Sequence, residues 1–455
     1  MRHYPVVLVN VSRTTNTIMF PMGLSVIANT CLHHGIEPLI IDLTPVPPED
    51  QVDTFIRLMP DEPAIYGFSL MLGNRHLDAT AVYSNIIRAR SPDSVIVYGG
   101  SLPSALPELI VERAPCDLVV HGEGEVTFPA LVKALRAGDR HPEMDGVFSV
   151  RDGRAQGKRA KRMRRLDHLS RKDFSRFDVG FYAGFCREVD EGWEVMASRG
   201  CRASCSFCYK FMGDGIGAVD PGVVMDEIQY IIENHGLRRF YFVDENFMQV
   251  KKYFFSFLKE KERRGLDFQF VAQSRIDEID AERLEAGRHN GLICVSTGVE
   301  SASQTVLDAI DKGISVAQTE RAIALLRKHG VRPAINLIIG FEEETESDYR
   351  AMIDFVDRNQ LSDCIKLSYL TPLPATRIYD RARERGLIVD EYEYIRGLNN
   401  LYWELVVNMT SMPDATVRHY YDAITGGRKR PRRLPASEKY LRIMNPLFMY
   451  DTGET

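Results

Sequence analysis

Between Val6 and about residue 138, short β-branched runs alternate with stretches of helical periodicity. The runs are VVLVN, PLIIDL, AIYGFSL, SVIVYGG and CDLVVHG, with helices predicted over residues 23–34 and near residues 79–89. Strands of four to six residues separated by helices imply parallel βαβ units. The pattern therefore predicts an α/β, Rossmann-like domain over residues 1–145 with a sheet of about five strands. Gly99-Gly100-Ser101 and Gly122-Glu123-Gly124 stand just after strand ends, where open α/β sheets hold ligands. The plain alternative is that these glycines only make turns.

Residues 146–190 lose this periodicity and carry the basic run from Lys158 to Arg165, which predicts a solvated linker. From Trp193 a second series begins: WEVMASRG, RRFYFVDENF, DFQFVAQSRI, LICVSTGVES, RPAINLIIGF and CIKLSYLTPL. Six strands with intervening helices predict a partial (β/α)6 barrel over residues 191–386, its site at the carboxyl ends of the strands. Residues 387–455 read as a small helical, polar region. Its basic run from Arg428 to Arg433 is expected to be an exposed surface segment rather than a nucleic-acid site.

Length agrees with several domains, since 455 residues exceed the roughly 250–300 at which single cores stop growing. Hydrophobic content of 44% and charged content of 26% exclude fibrous and wholly disordered classes. Fifty-seven Lys+Arg against 63 Asp+Glu leave a charge of −6, so nucleic acid is not an expected partner. The first ten residues give only a short Val-rich run, so no signal peptide is expected, and no run of ~18 apolar residues occurs that would predict a membrane span. A cytoplasmic protein with reduced thiols is expected.

Eight cysteines are too sparse for a disulfide scaffold, and three of them are clustered. Cys201, Cys205 and Cys208 fall within the loop RGCRASCSFC that follows the first strand of the second series. Three thiols so spaced can wrap one face of an iron–sulfur cube and leave the fourth iron open, whereas a closed zinc site wants four protein ligands. The next cysteine is Cys294, far from finger-like spacing. Cys31, Cys116, Cys186, Cys294 and Cys364 mostly sit in apolar runs and are expected to be small core residues.

The CxxxCxxC spacing resembles that of the radical S-adenosylmethionine superfamily. Asp244-Glu245-Asn246-Phe247 is similar to its D-D-N-F segment, Thr297-Gly298-Val299-Glu300-Ser301 to its G-I-E-S element, and Thr371-Pro372-Leu373-Pro374-Ala375-Thr376 to T-P-x-P-G-T. The resemblance implies a [4Fe–4S] cluster on Cys201, Cys205 and Cys208, with S-adenosylmethionine on the open iron as source of a 5′-deoxyadenosyl radical. It also implies an electron donor such as flavodoxin or ferredoxin, or a partner reductase. Glu300 is then expected to meet the cofactor's ammonium and Arg275 its carboxylate, with Ser274 and Ser301 giving neutral hydrogen bonds. The plain reading of Glu300 is a strand-end salt bridge. Phe207 is expected to shield the cluster or stack near adenine. Tyr209 and Lys210 are expected close to the radical chemistry, or packed at its rim.

Phe20-Pro21-Met22-Gly23-Leu24, the segment from Gly99 to Glu108, and His121-Gly122-Glu123-Gly124-Glu125 are similar to P-P-L-G-L, G-G-P-H-A-T-A-L-P-E and R-G-E-G-E. These are segments of the cobalamin-binding-domain subfamily. The resemblance implies cobalamin on a site that includes Gly99, Gly100, Ser101, Gly122 and Gly124. Two departures matter: no D-x-H-x-x-G sequence supplies a histidine to cobalt, and Leu102 and Pro103 replace small or polar residues. Their bulk is expected to crowd the corrin's nucleotide tail, so cobalamin binding stays open. With it, the resemblance implies methyl transfer to an unactivated carbon of a polar small molecule, in natural-product biosynthesis such as that of antibiotics. Without it, a domain order similar to the paromamine deoxygenases of apramycin biosynthesis implies radical dehydration of an aminosugar diol. Asp244 and Glu245 would then meet the aminosugar cation at the barrel mouth, and Tyr209 would return a hydrogen atom.

Overall fold

The computed structural model describes residues 4–11, 18–163, 165–166, 171–210, 215–399 and 402–426. The amino-terminal half contains β1 (Val6–Asn10), β2 (Pro38–Asp42), β3 (Ile65–Ser69), β4 (Val95–Gly99) and β5 (Leu118–Val120). These five strands are parallel in the order β2-β1-β3-β4-β5. The inner strands are buried from both faces, β1 showing no exposed position, whereas the edge strand β2 leaves Leu39 exposed.

The sheet does not stop at five strands. β6 (Val147–Arg151) and β7 (Arg154–Gly157) continue it antiparallel beyond β5. Residues 146–190, expected as a solvated linker, are therefore largely structured. Asp152 and Gly153 both take positive φ at the tip, which is the backbone of a two-residue hairpin turn. Farther on, helix Val179–Val189 is capped by the Asp178 carboxylate on Phe181 N–H and buries Phe181, Tyr182 and Phe185. The reason is aromatic content. Phe20 lies 5.5 Å from Phe174, 5.3 Å from Phe177, 5.5 Å from Tyr182 and 5.2 Å from Trp193, between ring centroids. One apolar core thus runs from the first sheet through this segment into the second half. Of the basic run, Lys158 and Arg159 lie at the surface, where Lys158 pairs with Asp145 and Arg159 with Glu108, while Arg162 turns its guanidinium inward towards Gly200.

Next come β8 (Arg165–Leu166), β9 (Trp193–Val195), β10 (Ser198–Arg199) and β11 (Gly217–Val219). β8, β10 and β11 form a small sheet flanking the cysteine loop. The barrel half is completed by β12 (Arg239–Phe242), β13 (Gln269–Gln273), β14 (Leu292–Glu300), β15 (Arg332–Ile339) and β16 (Ile365–Tyr369). All six of its strands are parallel, in the order β16-β15-β14-β13-β12-β9. Beyond it lie helices Arg377–Glu384, Glu391–Gly397 and Asp414–Thr425. The basic run at Arg428 lies outside the described residues. Among the described residues, no helix is long and apolar enough to cross a membrane.

Candidate active site

The cysteine loop leaves β10 through Gly200, whose φ of +96° and closeness to Gly215 permit no side chain: a Cβ there would stand 2.1 Å from the Gly215 carbonyl oxygen. Only glycine turns the chain here. Neighbouring carboxylates hold the turn. Glu245 accepts from Gly200 N–H at 2.8 Å, and Gln249 donates to the Gly200 carbonyl at 2.6 Å. Asp244 accepts from Ala197 N–H at 3.0 Å and from the Ser198 hydroxyl at 2.6 Å. Burial pushes the Asp244 carboxyl up to about 7. Asp244 is thus a buried brace beneath the loop and not an open group at the barrel mouth, which corrects the expectation that it meets a cationic substrate. Glu245 is exposed, but its carboxylate is engaged by the Gly200 amide.

Cys201, Cys205 and Cys208 are all half-buried free thiols. Desolvation, followed by the charges of Cys205 and Cys201, pushes the Cys208 thiol up to about 11, with Lys210 and Lys312 offsetting part of that rise. A loop that gathers three half-buried thiols suits a metal, whose charge offsets that of ligating sulfurs. Among the described residues no three His, Cys, Asp or Glu side chains converge on a single-ion site. A four-iron cube takes one thiolate per iron and needs no such convergence, so the loop fits a cluster. Arg275 donates to Cys205 Sγ at 3.5 Å, a charge-assisted contact suited to a thiolate.

Behind the loop a chain of polar contacts joins the strand ends. Arg275 also holds Asp277 through Nε at 2.9 Å and Nη2 at 3.0 Å, and the Lys312 carbonyl at 2.7 Å. Lys312 in turn donates to the buried Glu300 Oε1 at 2.7 Å. Glu300 is held at φ +68°, an uncommon conformation for a residue with a side chain. The salt-bridge reading of Glu300 is thus present within the protein. Ser274 donates to the Arg275 carbonyl at 3.3 Å and Asn246 Oδ1 at 3.4 Å, and Ser301 accepts from Ser303 N–H at 3.2 Å. Phe207 packs edge-on to Phe341 at 5.7 Å, with Lys312 Nζ at 5.7 Å from its ring.

Two contacts tie this loop to the first domain. Tyr209 donates its phenol proton to the Ser101 carbonyl at 2.7 Å. Arg199 pairs with Glu125 at 2.6 Å and Glu123 at 3.4 Å, all three groups being buried. Neither Arg199 nor Lys312 stands out in the sequence, because long-range ion pairs leave no spacing signature. Glu123 and Glu125 were legible only as parts of a glycine motif.

At the carboxyl edge of the first sheet, Gly99, Gly100 and Gly122 are half-exposed. Gly100 has φ +96°, and a Cβ there would meet the Leu70 carbonyl oxygen at 2.4 Å. Ser104 Oγ donates to the Gly100 carbonyl at 2.7 Å and accepts from Gly122 N–H at 2.9 Å, so one hydroxyl stitches the two glycine turns together. Leu102 and Pro103 do not stand in this edge. Both are buried in helix Ser101–Ala105, Leu102 within the apolar core that includes Phe68 and Tyr98. The expected crowding is therefore corrected: the helix turns apolar side chains inward, and the edge is left lined by glycine. A broad flat ligand fits such a surface.

The profile of the Radical SAM superfamily matches residues 195–356, and that of the B12 binding domain matches residues 9–132. An uncharacterized methyltransferase of Pyrococcus horikoshii is 29% identical over 298 residues, covering 65% of this chain and 64% of its own. An anaerobic magnesium-protoporphyrin IX monomethyl ester cyclase of Cereibacter sphaeroides is 30% identical, covering 67% and 51%. The chain thus spans about half to two thirds of the length of these relatives. Among solved structures, the radical S-adenosylmethionine methyltransferase TsrM of Kitasatospora setae, with cobalamin and a [4Fe–4S] cluster bound, superposes with a TM-score of 0.73 at 17% identity. It covers 84% of this chain and 78% of its own.

Proposed function

We propose that this chain, which belongs to the radical S-adenosylmethionine enzymes that carry a B12-binding domain, is a cobalamin-dependent methyltransferase acting on carbon in a polar small molecule. When bound, the cluster and S-adenosylmethionine supply a radical that removes hydrogen, and cobalamin supplies the methyl group. Cys201, Cys205 and Cys208 hold the cluster, and Arg275 lies against one of those thiols. Ser274, Arg275, Glu300 and Ser301 form the side on which S-adenosylmethionine is received, and Gly99, Gly100, Ser101, Gly122 and Gly124 the edge that receives the corrin. Electrons come from a flavodoxin, a ferredoxin or a dedicated reductase.

The observation that carries this reading is the joint between the cysteine loop and the glycine edge, made by Tyr209 with Ser101 and by Arg199 with Glu123 and Glu125. A redox-only cluster protein has no need to brace its cluster loop against a ligand edge of another sheet. The burial of Leu102 and Pro103 supports corrin binding over a cobalamin-free course, and the burial of Asp244 takes away one of the two carboxylates expected to meet an aminosugar.

Anaerobic reconstitution with iron, sulfide and hydroxocobalamin tests it. The expected result is about four irons and about one corrin per chain, with S-adenosylhomocysteine and 5′-deoxyadenosine both formed. The Cys201→Ala, Cys205→Ala, Cys208→Ala triple variant is expected to lose the brown chromophore and all 5′-deoxyadenosine. Protein that takes up no corrin, or that yields 5′-deoxyadenosine with no S-adenosylhomocysteine, overturns the methyl-transfer reading.

A further inference from the structure

The face of the six-stranded sheet that its helices leave open carries a row of polar side chains. Register places Gln273 beside Ser296 and Asn336 beside Lys366 on neighbouring strands, so each pair shares a face. Asn336 Nδ2 donates to Ser296 Oγ at 3.2 Å, and the Tyr241 phenol is hydrogen-bonded with Ser296 and Gln273. These bonds put all five residues on one face. The positions between them, such as Phe242, Ala272 and Leu367, are buried on the other face against the helices. The row is therefore the water-reached wall of the barrel interior.

From Tyr241 to Asn336 this wall is neutral and satisfied within itself. It ends at a cation. Lys366 has no carboxylate partner among the described residues; its only neighbours of note are two rings, Tyr402 at 5.9 Å and Trp403 at 5.6 Å from Nζ to centroid. Two acids share this face: Glu194, registered with Tyr241, lies on β9 at the opposite edge of the sheet, and the Glu300 carboxylate stands over Gly298, beside Asn336, where Lys312 already pairs with it. The Lys366 side chain is exposed to water, and neighbouring protein lowers its ammonium below the usual lysine range by desolvation. Tyr369 N–H donates to the Tyr402 carbonyl at 2.8 Å, which sets these rings at the carboxyl end of β16.

We propose that Lys366 receives an oxyanion of the substrate, a carboxylate or a phosphoryl group, while the Tyr402 and Trp403 rings wall the atoms next to it. A partly desolvated ammonium gains a charge-assisted hydrogen bond from such a group, and the rings hold the cation in place without neutralising it. The substrate is then an organic anion rather than an aminosugar cation. This assignment rests on reading the barrel interior as the reaction chamber of the proposed methyltransferase.

The test titrates cluster-loaded, full-length protein at pH 7 with benzoate, phenylphosphonate and benzylamine, by calorimetry. At least one of the two anions is expected to bind, and benzylamine to bind at least about tenfold more weakly. Lys366→Met is expected to weaken the anion by about tenfold or more, and Lys366→Arg to keep most of the affinity. Iron content and S-adenosylmethionine affinity are expected to stay at the wild-type level in both variants. If Lys366→Met does not give folded protein, Lys366→Gln carries the same comparison. The ratio of the benzoate and phenylphosphonate affinities identifies the preferred oxyanion. Failure of both anions to bind, equal binding of benzylamine, or unchanged anion affinity in Lys366→Met overturns the assignment. So does an equal loss of S-adenosylmethionine affinity, which would put the cofactor's own carboxylate on Lys366. Corrin uptake is read separately, so a protein that binds anions through Lys366 but takes up no corrin refutes the methyl-transfer reading alone.

Discussion

The phenol of Tyr209 reaches across from the cysteine loop to the carbonyl of Ser101 at 2.7 Å, so the residue after Cys208 is fixed by the glycine turn of the other domain. Burial pushes this phenol well above the usual tyrosine range, which keeps it protonated and donating. Tyr209→Phe leaves the carbonyl without its donor, and the expected loss is about 1–3 kcal/mol in urea unfolding, with iron content unchanged. Wild-type stability in that variant would show that the joint does not depend on this bond.

Arg199 is the more costly member of the joint. Replacing it by Met leaves Glu123 and Glu125 buried without their cation, for which about 3–5 kcal/mol of destabilisation is expected near pH 8. Burial already pushes the Glu123 carboxyl upward in the presence of Arg199, and removing the cation raises it further. The folded variant therefore binds protons that the unfolded chain has released, and its deficit against wild type should shrink as pH falls from 8 towards 5. Adding Glu123→Gln and Glu125→Gln to Arg199→Met should recover most of the loss; a triple variant no better than the single one rejects the charge argument.

For Asp244 the pH dependence runs in a defined direction. Its carboxyl titrates at about 7 in the folded protein against about 3.9 unfolded. The native state therefore holds a proton that the unfolded state lacks, and this contribution to stability declines as pH rises from about 4 to about 7. Glu344, pushed up to about 8 by burial, extends the decline. Asp244→Asn is expected to flatten the fall of the thermal midpoint between pH 5 and 7 without abolishing the part due to Glu344. An unchanged slope would mean that Asp244 is ionised in place.

Leu102 gives a test of the glycine edge. As a core side chain its truncation to Ala should cost about 2–5 kcal/mol and leave corrin affinity no higher than wild type. A stable Leu102→Ala variant with tighter corrin binding would instead put the side chain in the ligand's way.

Regular elements were legible where the side chains themselves encode them. VVLVN and RFYF are strands because β-branched and aromatic residues suit a buried sheet, and the three cysteines announce their chemistry by type and spacing. β7 was not legible, because RAQG has no apolar alternation and only half-buries one residue. It is a strand because Asp152-Gly153 folds it back on β6, and that dipeptide was the available signal. Helix Val179–Val189 was hidden by the basic run before it. Its aromatic side chains fit a helix only once Phe20 and Trp193 are known to meet there. The site showed the same division. Asp244 and Glu300 have the expected residue types at the expected strand ends, but whether such a carboxylate faces a ligand or a buried amide or ammonium depends on partners as distant as Ala197 and Lys312.

Phe20, Phe174, Tyr182 and Trp193 meet in one aromatic cluster, which packs the two lobes against each other. Proteins that admit large ligands by swinging two lobes apart keep a thin, polar seam between them. Here the seam is itself core. Parting the lobes would expose those rings and strip Arg199 of its carboxylates, at a cost approaching that of unfolding. Cofactor exchange is then expected to proceed with the lobes together, and a gene cut near residue 190, through the shared core, is expected to yield two poorly folding fragments.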